Sequence, residues 1–302
     1  MDFSKHLFRC SSLGHLLAES KEKSNLEKHT EALEKQVKLH REYEEMPVYL
    51  KDGKTLSKAK QNKYDAYIAA SVITNELAKV KDKIELSEGA KTHLMDVYIY
   101  LTTGRKGDID NRYIRKGNAV EEHGITLYSR VKKEFFKKNE THLKNGFIMG
   151  TPDIFRGESI TSATLIPDIK ASWDLRTFYR TFTKKVNSLY LWQTRGYMWL
   201  TGAKHGSVAY CLVDTPEGLI QAEIDRLWYK MGKPLIDSSI FRSAEKELRE
   251  EMTYADIPLK KRLLEYESEW QDEYAEKITN YVIAGREYLS QIHSELQAKQ
   301  QW

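Results

Sequence analysis

The order of helix and strand patterns predicts an α/β fold, in which a mixed central sheet is flanked by helices, with helical additions at both ends. Short runs rich in β-branched and aromatic residues lie at 146–150, 152–155, 163–171 and 207–214, which is typical of strands. Segments with apolar residues at helical spacing precede, separate and follow these runs. Because helices alternate with strands in this way, we expect them to cover a sheet rather than form a bundle.

The composition is that of a folded and mildly basic protein. Hydrophobic residues make up 40% and charged residues 30% of the 302 residues, and the net charge is +4 with a pI near 8.7. This balance permits nucleic-acid binding but does not demonstrate it. No apolar run approaches the roughly 18 residues of a membrane span, and no signal peptide is expected. Cys10 and Cys211 are too few for a disulfide framework or a four-cysteine metal site, so we expect a reducing, cytoplasmic location.

The composition changes along the chain, but no low-complexity linker marks a boundary between domains. We expect residues 1–235 to form one core, which includes a polar, helical insertion from about 15 to 110. The remainder, 236–302, is highly charged and predicts a helical extension that packs on the core or mediates oligomer contacts. We expect PLKKRLLEYESEW (258–270) to belong to these helices.

Several helix ends and turns are marked by single residues. KDGKTLSKAK (51–60) predicts a turn followed by a new helix start, and Ser87 is a typical N-cap. A helix is expected over about 117–138, and FRGESITS (155–162) suits the link of a hairpin. The next long helix is expected to end at Gly202, a natural C′ glycine.

The motif IPDIKAS (166–172) carries the first chemical signal. Alternate residues of a strand share a face, so Asp168 and Lys170 point the same way and Ile169 points the opposite way. The carboxylate can hold a hard cation, while the ammonium can orient water or stabilise a developing phosphorane charge. The same triplet also fits an exposed ion pair.

Two further carboxylates fall close to this strand in the predicted fold. Asp153 precedes the hairpin that delivers Asp168, so the two acids can meet at one edge of the sheet, although Pro152-Asp153 also fits a simple turn. Glu121 lies on a helical stripe whose glycines permit close approach of a sheet. The alternative for Glu121 is a solvated side chain.

Gln193 and Tyr197 form the last motif of the set. They are four residues apart on a predicted helix and are therefore neighbours on its surface. Gln193 suits contact with a phosphate, a base or a catalytic residue, while Tyr197 suits stacking on DNA or packing.

Taken together and in this order, the motifs resemble those of the PD-(D/E)XK nuclease superfamily, especially the RecB-like and YqaJ-like viral recombinase exonucleases, a group that includes lambda exonuclease. The resemblance covers about residues 8–214. It rests on RCSSLG (9–14), GNAVEEHGITLY (117–128), GTPDIF (150–155), IPDIKAS (166–172) and the Gln193/Tyr197 pair. It implies a restriction-endonuclease-like core, whose Asp168 stands where the group often has Glu.

The resemblance also implies a role for each residue at the site. Asp153 and Asp168 would bind a divalent metal with the Ile169 carbonyl as a further ligand, and Glu121 would complete the shell through water. Lys170 would position or activate the hydrolytic water.

The same resemblance implies roles for the remaining residues. Gln193 would orient the site, Tyr197 would line it, and Ser11 or Ser12 would touch DNA. Arg195 stands where a second glutamine is often found, and we expect it to contact DNA.

The implied activity is Mg²⁺-dependent hydrolysis of linear duplex DNA from an end, in phage-type recombination or DNA processing. Mn²⁺ is expected to substitute, and the iron–sulfur subgroup is excluded because it needs four cysteines. Expected partners are DNA, a single-strand annealing protein and further copies of the chain, in the host cytoplasm if the protein is viral.

Cations along the chain are candidates for contacts with the DNA backbone. They are Arg105, Lys106, Arg112, Arg115 and Lys116 before the Glu121 helix, and Lys184, Lys185, Arg195 and Lys204 around the Gln193 helix. Trp173 follows the IPDIKAS strand directly. Its side chain is suited equally well to stacking on the end of a DNA strand and to packing inside the protein.

Three other functions remain open at this point. A structure-specific endonuclease or repair nuclease would use the same site. A non-catalytic DNA-binding scaffold would keep the fold, but every expected chemical position is filled. A helical interaction protein would leave the central acids without a purpose.

Overall fold

The protein is an α/β structure, described by a computed structural model for residues 1–18, 23–48, 57–105, 107 and 112–300. The helices are α1 (Leu13–Leu16), α2 (Asn25–Glu45), α3 (Lys58–Ala78), α4 (Glu88–Thr103), α5 (Arg112–Lys132), α6 (Leu175–Phe182), α7 (Ser188–Thr201), α8 (Glu217–Lys230), α9 (Ser239–Met252) and α10 (Glu273–Gln300). The strands are β1 (Phe8–Arg9), β2 (Leu143–Lys144), β3 (Ile148–Gly150), β4 (Leu165–Ala171), β5 (His205–Cys211) and β6 (Leu263–Glu269).

The strands form two small mixed sheets. One has the order β1-β3-β2, and the other has the order β4-β5-β6. β4 runs parallel to β5, from the Leu165–His205 pair to the Ala171–Cys211 pair, while β6 is antiparallel to β5. Parallel strands require a long crossover connection, and α6 with α7 provides it between β4 and β5. The predicted mixed α/β class with helical additions is confirmed.

Helix α5 packs closely on one face of the β4-β5-β6 sheet. A Cβ atom at Gly124 would lie only 2.8 Å from Ile169 Cγ2, so glycine permits this approach. Val120, Tyr128 and Ala209 complete a buried cluster around Ile169. The result fixes α5, and with it Glu121, against the strand that carries Asp168.

The opposite face of the sheet is covered by α6 and α7. Phe178 of α6 is buried against Val208 and Tyr210 of β5. A Cβ at Gly206 would lie 2.6 Å from Met198 Sδ, so a glycine in β5 allows α7 to settle on the sheet. This layer covers the face of β4 to which Asp168 and Lys170 point.

The two ends of the chain meet in another core. Leu13 and Leu16 of α1, Leu94 of α4, and Ile278 and Val282 of α10 are all buried in one cluster.

Within the part of the chain that the structure describes, no helix combines the length and the apolar character that a membrane span requires.

Several local predictions are confirmed. Ser87 caps α4, because its Oγ accepts from the Ala90 N–H, and Gly202 ends α7 with a left-handed φ of +77°. The predicted helix over 117–138 ends earlier, at Lys132, where Lys133 turns to a φ of +56°. Residues 51–56 of the predicted turn lie outside the described residues, and α3 begins after Ser57.

The strand prediction for 152–155 is wrong. The hairpin is reduced to one antiparallel bridge between Arg156 and Leu165. Proline at 152 has no N–H to donate to a ladder. The Pro152 carbonyl accepts from Asn139 Nδ2, and the Asp153 carbonyl accepts from the Asn139 N–H. These bonds replace the ladder and hold Asp153 in an irregular segment.

The helix prediction for 258–270 is also wrong, because Leu263–Glu269 form β6. Its Glu265 points into a polar network. Glu265 Oε1 accepts from Tyr128 Oη at 2.8 Å and from Ser207 Oγ at 2.6 Å, and Oε2 forms an ion pair with Lys132. These bonds join β6 to α5 and β5, so the C-terminal part contributes a strand to the central sheet. The division at residues 235 and 236 stays a prediction.

We expect Glu265→Gln to lower the free energy of unfolding by about 2 kcal/mol at neutral pH, since the charged hydrogen bonds to Tyr128, Ser207 and Lys132 are lost. Burial raises the pKa of Glu265, but Lys132 and the two hydroxyls lower it more, to below its usual value. The stabilisation is thus present above the unfolded-state pKa and is lost as the pH falls through the folded-state pKa.

Denaturant unfolding of the wild type and Glu265→Gln over a pH series would measure this difference. Glu267→Gln, an exposed change on the same strand, is the control. Equal destabilisation by both variants, or a difference that does not shrink in acid, would contradict the role of the network.

Candidate active site

Strand β4 carries the first two residues of the site, on the face covered by α7. Asp168 is completely buried. Lys170 Nζ donates to Asp168 Oδ1 at 2.9 Å and lies 2.8 Å from Oδ2. The same ammonium lies 4.9 Å from the centroid of the Tyr190 ring. The predicted shared face is confirmed, and the two charges form a largely buried ion pair.

Asp153 lies at the free edge of β4. Its Oδ2 accepts from the Ile169 N–H at 2.8 Å. β4 is the outer strand of its sheet, and the bond to Asp153 shows that this N–H points to the free edge and away from β5. The N–H and C=O of one strand residue point toward the same edge, so the Ile169 carbonyl also faces the side of Asp153. The Asp153 carboxylate and the Ile169 carbonyl therefore meet at this edge, next to the face that carries Asp168.

Asp153, Asp168 and Lys170 strongly affect one another's pKa values. Burial and the nearby Asp168 carboxylate raise the pKa of Asp153 to about 7, against the opposing effects of Lys170 and the Ile169 N–H. Burial also raises the pKa of Asp168, although Lys170 acts in the opposite direction. For Lys170, burial lowers the pKa, but Asp168 and Asp153 raise it more, so the ammonium stays charged at neutral pH.

The donor set fits a hard divalent cation. Asp168 Oδ2 is buried 2.8 Å from the Lys170 ammonium and accepts no hydrogen bond of regular geometry from the described residues, so the carboxylate keeps lone pairs for a cation. Among those same residues, no three His, Cys, Asp or Glu side chains converge into a metal cluster. Mg²⁺ suits such a site, because it takes one or two carboxylates and fills its remaining positions with water and phosphate oxygens.

Glu121 lies near the site but does not join the other two acids. Its charge helps to raise the pKa of Asp153, so the two carboxylates are close enough to interact. Its Oε2, however, accepts from Lys138 Nζ at 3.0 Å, and the side chain is 33% exposed. The structure thus turns Glu121 toward Lys138.

Gln193 and Tyr197 are brought together with Lys170, as their spacing predicts. Gln193 Oε1 accepts from Lys170 Nζ at 3.2 Å, and Gln193 Nε2 donates to Tyr197 Oη at 3.0 Å. Both side chains are buried. A Cβ at Gly150 would lie 2.7 Å from the Tyr197 ring, so β3 approaches this end of the network closely.

The sequence reasoning missed Tyr190 and Lys138. Tyr190 precedes Gln193 by three residues and so lies one helical turn away, a signal that could have selected it. Lys138 sits in a run of lysines after α5, and its sequence surroundings give no sign that it pairs with Glu121.

The serine motif lies beside the site but outside its hydrogen-bond network. Ser11 is exposed, and Ser12 Oγ donates to the Arg9 carbonyl at 2.9 Å. The adjacent Cys10 side chain is buried between β3 and α7, where it faces Gly150 and Gly196. The motif therefore lies where the first strand meets the Gln193 helix.

The side chain of Trp173 is packed rather than presented to solvent. Its indole meets the Tyr113 ring edge-on, with 5.3 Å between the centroids, and joins the cluster of α8 and α9. Lys116 lies below it, 1% exposed, and donates from Nζ to the Trp173 carbonyl at 2.6 Å. Burial lowers the pKa of Lys116 to about 8. The prediction that Lys116 contacts the DNA backbone is therefore wrong.

Arg195 is likewise held by neighbouring rings. Its guanidinium carbon lies 4.6 Å from the centroid of Trp192 and 4.1 Å from that of Tyr274, so it links α7 to α10. Burial lowers its pKa. A guanidinium stacked in this way favours a structural role over a phosphate contact.

Of the remaining cations, Lys106 and the side chain of Arg112 lie outside the described residues. The exposed ones are Arg105, Arg115, Lys184, Lys185 and Lys204. These five stay predicted DNA contacts.

No family model and no curated protein matches the chain. Among solved structures, it is similar to the crystal structure of a phage-related exonuclease from Haemophilus somnus 129PT, with a TM-score of 0.61 and 23% sequence identity. That similarity covers 96% of this chain and 96% of the other. It shows a shared fold over nearly the whole length, and the expected PD-(D/E)XK type of fold is confirmed.

A more distant similarity is found to an alkaline exonuclease from Laribacter hongkongensis. Its crystal structure has a TM-score of 0.48 and 14% identity, over 72% of this chain and 87% of that chain. The same enzyme in complex with dAMP has a TM-score of 0.46 and 16% identity, over 74% and 89%.

We expect Asp153→Asn to stabilise the metal-free protein at alkaline pH. The folded-state pKa of Asp153, about 7, lies above its unfolded value, so ionising this group in the folded protein costs free energy. The cost is absent in acid, grows as the pH rises toward 7 and is complete above it. The amide removes this cost and should raise the free energy of unfolding by about 2 kcal/mol at alkaline pH.

Denaturant unfolding in EDTA, on both sides of neutrality, would measure the effect. Glu158→Gln is the control, because Glu158 is an exposed acid on the following loop. A stabilisation that is the same at acidic and alkaline pH would contradict a raised pKa at Asp153.

Proposed function

We propose that this chain is a metal-dependent DNA exonuclease that hydrolyses phosphodiester bonds of linear duplex DNA from an end. The observation that carries the proposal is the buried Asp168–Lys170 pair with Asp153 beside it at the edge of β4. A buried ion pair adds little to stability, because the cost of desolvation offsets the attraction between the charges. A catalytic role therefore explains these buried charges better than a contribution to stability. A phage-related exonuclease with the same fold supports this assignment.

Asp153, Asp168 and the Ile169 carbonyl are the proposed ligands of the cation, and Glu121 acts through water. Mg²⁺ is the proposed ion and Mn²⁺ its substitute, because the donors are all oxygen atoms. When bound, the cation supplies Lewis-acid stabilisation of phosphate charge and makes water more acidic. The ion pair that Glu121 forms with Lys138 supports an indirect role for Glu121.

Lys170 is the proposed catalytic cation. Its raised pKa keeps it protonated, so it acts as a hydrogen-bond donor that positions the hydrolytic water and stabilises charge developing on the phosphate. Gln193 accepts from this ammonium, and Tyr197 holds Gln193. Gln193 is thus a positioning residue, and Tyr197 lines the site behind it.

The proposed substrate contacts lie around this network. Ser11 and Ser12 are proposed to touch DNA from the segment next to β3, and Arg115 with the other exposed cations to contact the backbone. Trp173 and Arg195 are proposed to shape the protein around the site, because both are packed against neighbouring rings.

We place the activity in phage-type recombination or DNA processing, with a single-strand annealing protein as partner, in the host cytoplasm. The name of the phage-related exonuclease supports this setting.

Asp168→Asn and Lys170→Met should each lower the rate of cleavage of linear duplex DNA in Mg²⁺ by about 1,000-fold or more, because each removes charge stabilisation in a buried site. Lys230→Met, at an exposed position at the end of α8 that is not among the proposed DNA contacts, should retain most of the wild-type rate. A binding readout accompanies the assay: Mg²⁺ should raise the Tm of the wild type and leave that of Asp168→Asn unchanged. Full activity in both site variants would reject the proposed site.

A comparison of linear with closed-circular duplex DNA tests the requirement for an end. We expect degradation of the linear form only, in Mg²⁺ and not in EDTA. Equal rates on the two forms would favour a structure-specific endonuclease with the same residues, and cleavage of neither would favour a DNA-binding scaffold. A label at the 5′ or the 3′ terminus then gives the polarity.

A further inference from the structure

The segment that follows α5 brings a lysine to the edge of the active site. Lys133 and Lys137 of this segment are exposed, whereas Lys138 is partly buried. Lys138 Nζ donates to Glu121 Oε2 at 3.0 Å. Lys138 is thus placed differently from the neighbouring lysines, because it contacts one of the acids assigned to the site.

The position of Lys138 is set by the residue that follows it. The Asn139 N–H donates to the Asp153 carbonyl at 2.8 Å, and Asn139 Nδ2 donates to the Pro152 carbonyl at 2.9 Å. Asn139 is buried, so these bonds are shielded from water. They hold the backbone next to Lys138 against the segment that carries Asp153. The Lys138 side chain therefore starts beside one acid of the site and ends on another, Glu121.

Several carboxylates act on the Lys138 ammonium. Its hydrogen bond to Glu121 has the largest effect and raises its pKa, and the charges of Glu121, Glu122 and Asp153 raise it further, against a small opposing effect of burial. The Lys138 side chain is nevertheless 39% exposed, so an anion in solution can reach it. A partly exposed ion pair adds little to stability. Stability alone therefore gives a weak reason for a lysine at this place.

A divalent cation at Asp153 and Asp168 would change the balance of charge around Lys138. The cation and the ammonium repel each other, whereas the Glu121 carboxylate is attracted to the cation, directly or through water. Lysine carries its charge on a flexible four-carbon stem with three donors, so it can turn to another anion. Mg²⁺ keeps positions for phosphate oxygens. A DNA phosphate is thus the anion that arrives where Lys138 loses its partner.

We propose that Lys138 exchanges partners as the active site is filled: it pairs with Glu121 in the metal-free protein and with a DNA phosphate when cation and substrate are bound. This inference rests on the proposed nuclease function, which supplies the phosphate. It has a thermodynamic consequence. The cation releases Lys138 and the phosphate takes it up, so cation and DNA each favour the binding of the other.

The Kd for Mg²⁺ in the absence of DNA tests the first half of the exchange, and it is obtained from the rise of the Tm with Mg²⁺ concentration. Lys138→Met should lower this Kd by about 10-fold, because a competing positive charge is removed. Lys138→Arg keeps the charge and should match the wild type. Lys137→Met makes the same change at the adjacent exposed lysine and should leave the Kd unchanged. Because the ion pair is partly exposed, the metal-free variants should unfold near the wild-type Tm.

Initial rates on linear duplex DNA in saturating Mg²⁺ test the second half. Lys138→Met should raise the KM for DNA by about 10-fold, because a contact with the DNA backbone is lost. The kcat should change less than the KM, since this contact is present before and during the reaction. Lys138→Arg and Lys137→Met should both keep a KM close to that of the wild type.

A Kd for Mg²⁺ that rises in Lys138→Met would overturn the proposal, because Lys138 would then hold Glu121 in place for the cation instead of competing with it. An unchanged Kd or an unchanged KM would overturn it as well. A wild-type protein that cleaves no DNA would reject the proposed function and the phosphate contact with it. The Mg²⁺ titration would still decide whether Lys138 competes with the cation, so the two failures can be told apart.

Discussion

The buried ion pair of Asp168 and Lys170 is the constraint around which the centre of the molecule is organised. Taking both charges out of water is unfavourable, and their attraction compensates only if the geometry is held closely. β4 supplies that geometry by placing the two residues on one face. α7 completes it, because Gln193 gives the ammonium a further acceptor and Tyr197 fixes Gln193 in turn. The Lys170 ammonium is thereby held close to both Asp168 oxygens, 2.9 Å from Oδ1 and 2.8 Å from Oδ2.

The layers that enclose this pair combine buried apolar clusters with glycines at the points of closest contact. Gly124 brings α5 onto Ile169, and Gly206 brings α7 onto β5. A larger side chain at either point would push a helix away from the strand. The distance of Glu121 from one side of β4, and that of Gln193 from the other, are therefore set by residues that take no part in the chemistry.

The strand-borne part of the site could be predicted from the sequence because a strand has a simple period. Asp168 and Lys170 are two apart, and no other geometry is needed to bring them together. The Gln193 and Tyr197 pair follows from the helical period in the same way. Contacts between segments far apart in sequence could not be predicted: Lys138 with Glu121, Tyr274 with Arg195, and the Trp173 carbonyl with Lys116. The strand at 263–269 was missed for the same reason, since its Glu265 is stabilised by residues of α5 and β5.

The bond from the Ile169 N–H to Asp153 also affects how readily copies of the protein can aggregate through the edge of β4. An outer strand with unused N–H groups is a template on which another chain can add a strand, and proteins commonly block such edges. Here the Asp153 carboxylate occupies the donor in the middle of β4, and the Arg156–Leu165 bridge occupies the edge beside it. The same carboxylate that faces the site thus also blocks the addition of another strand at this edge of the sheet.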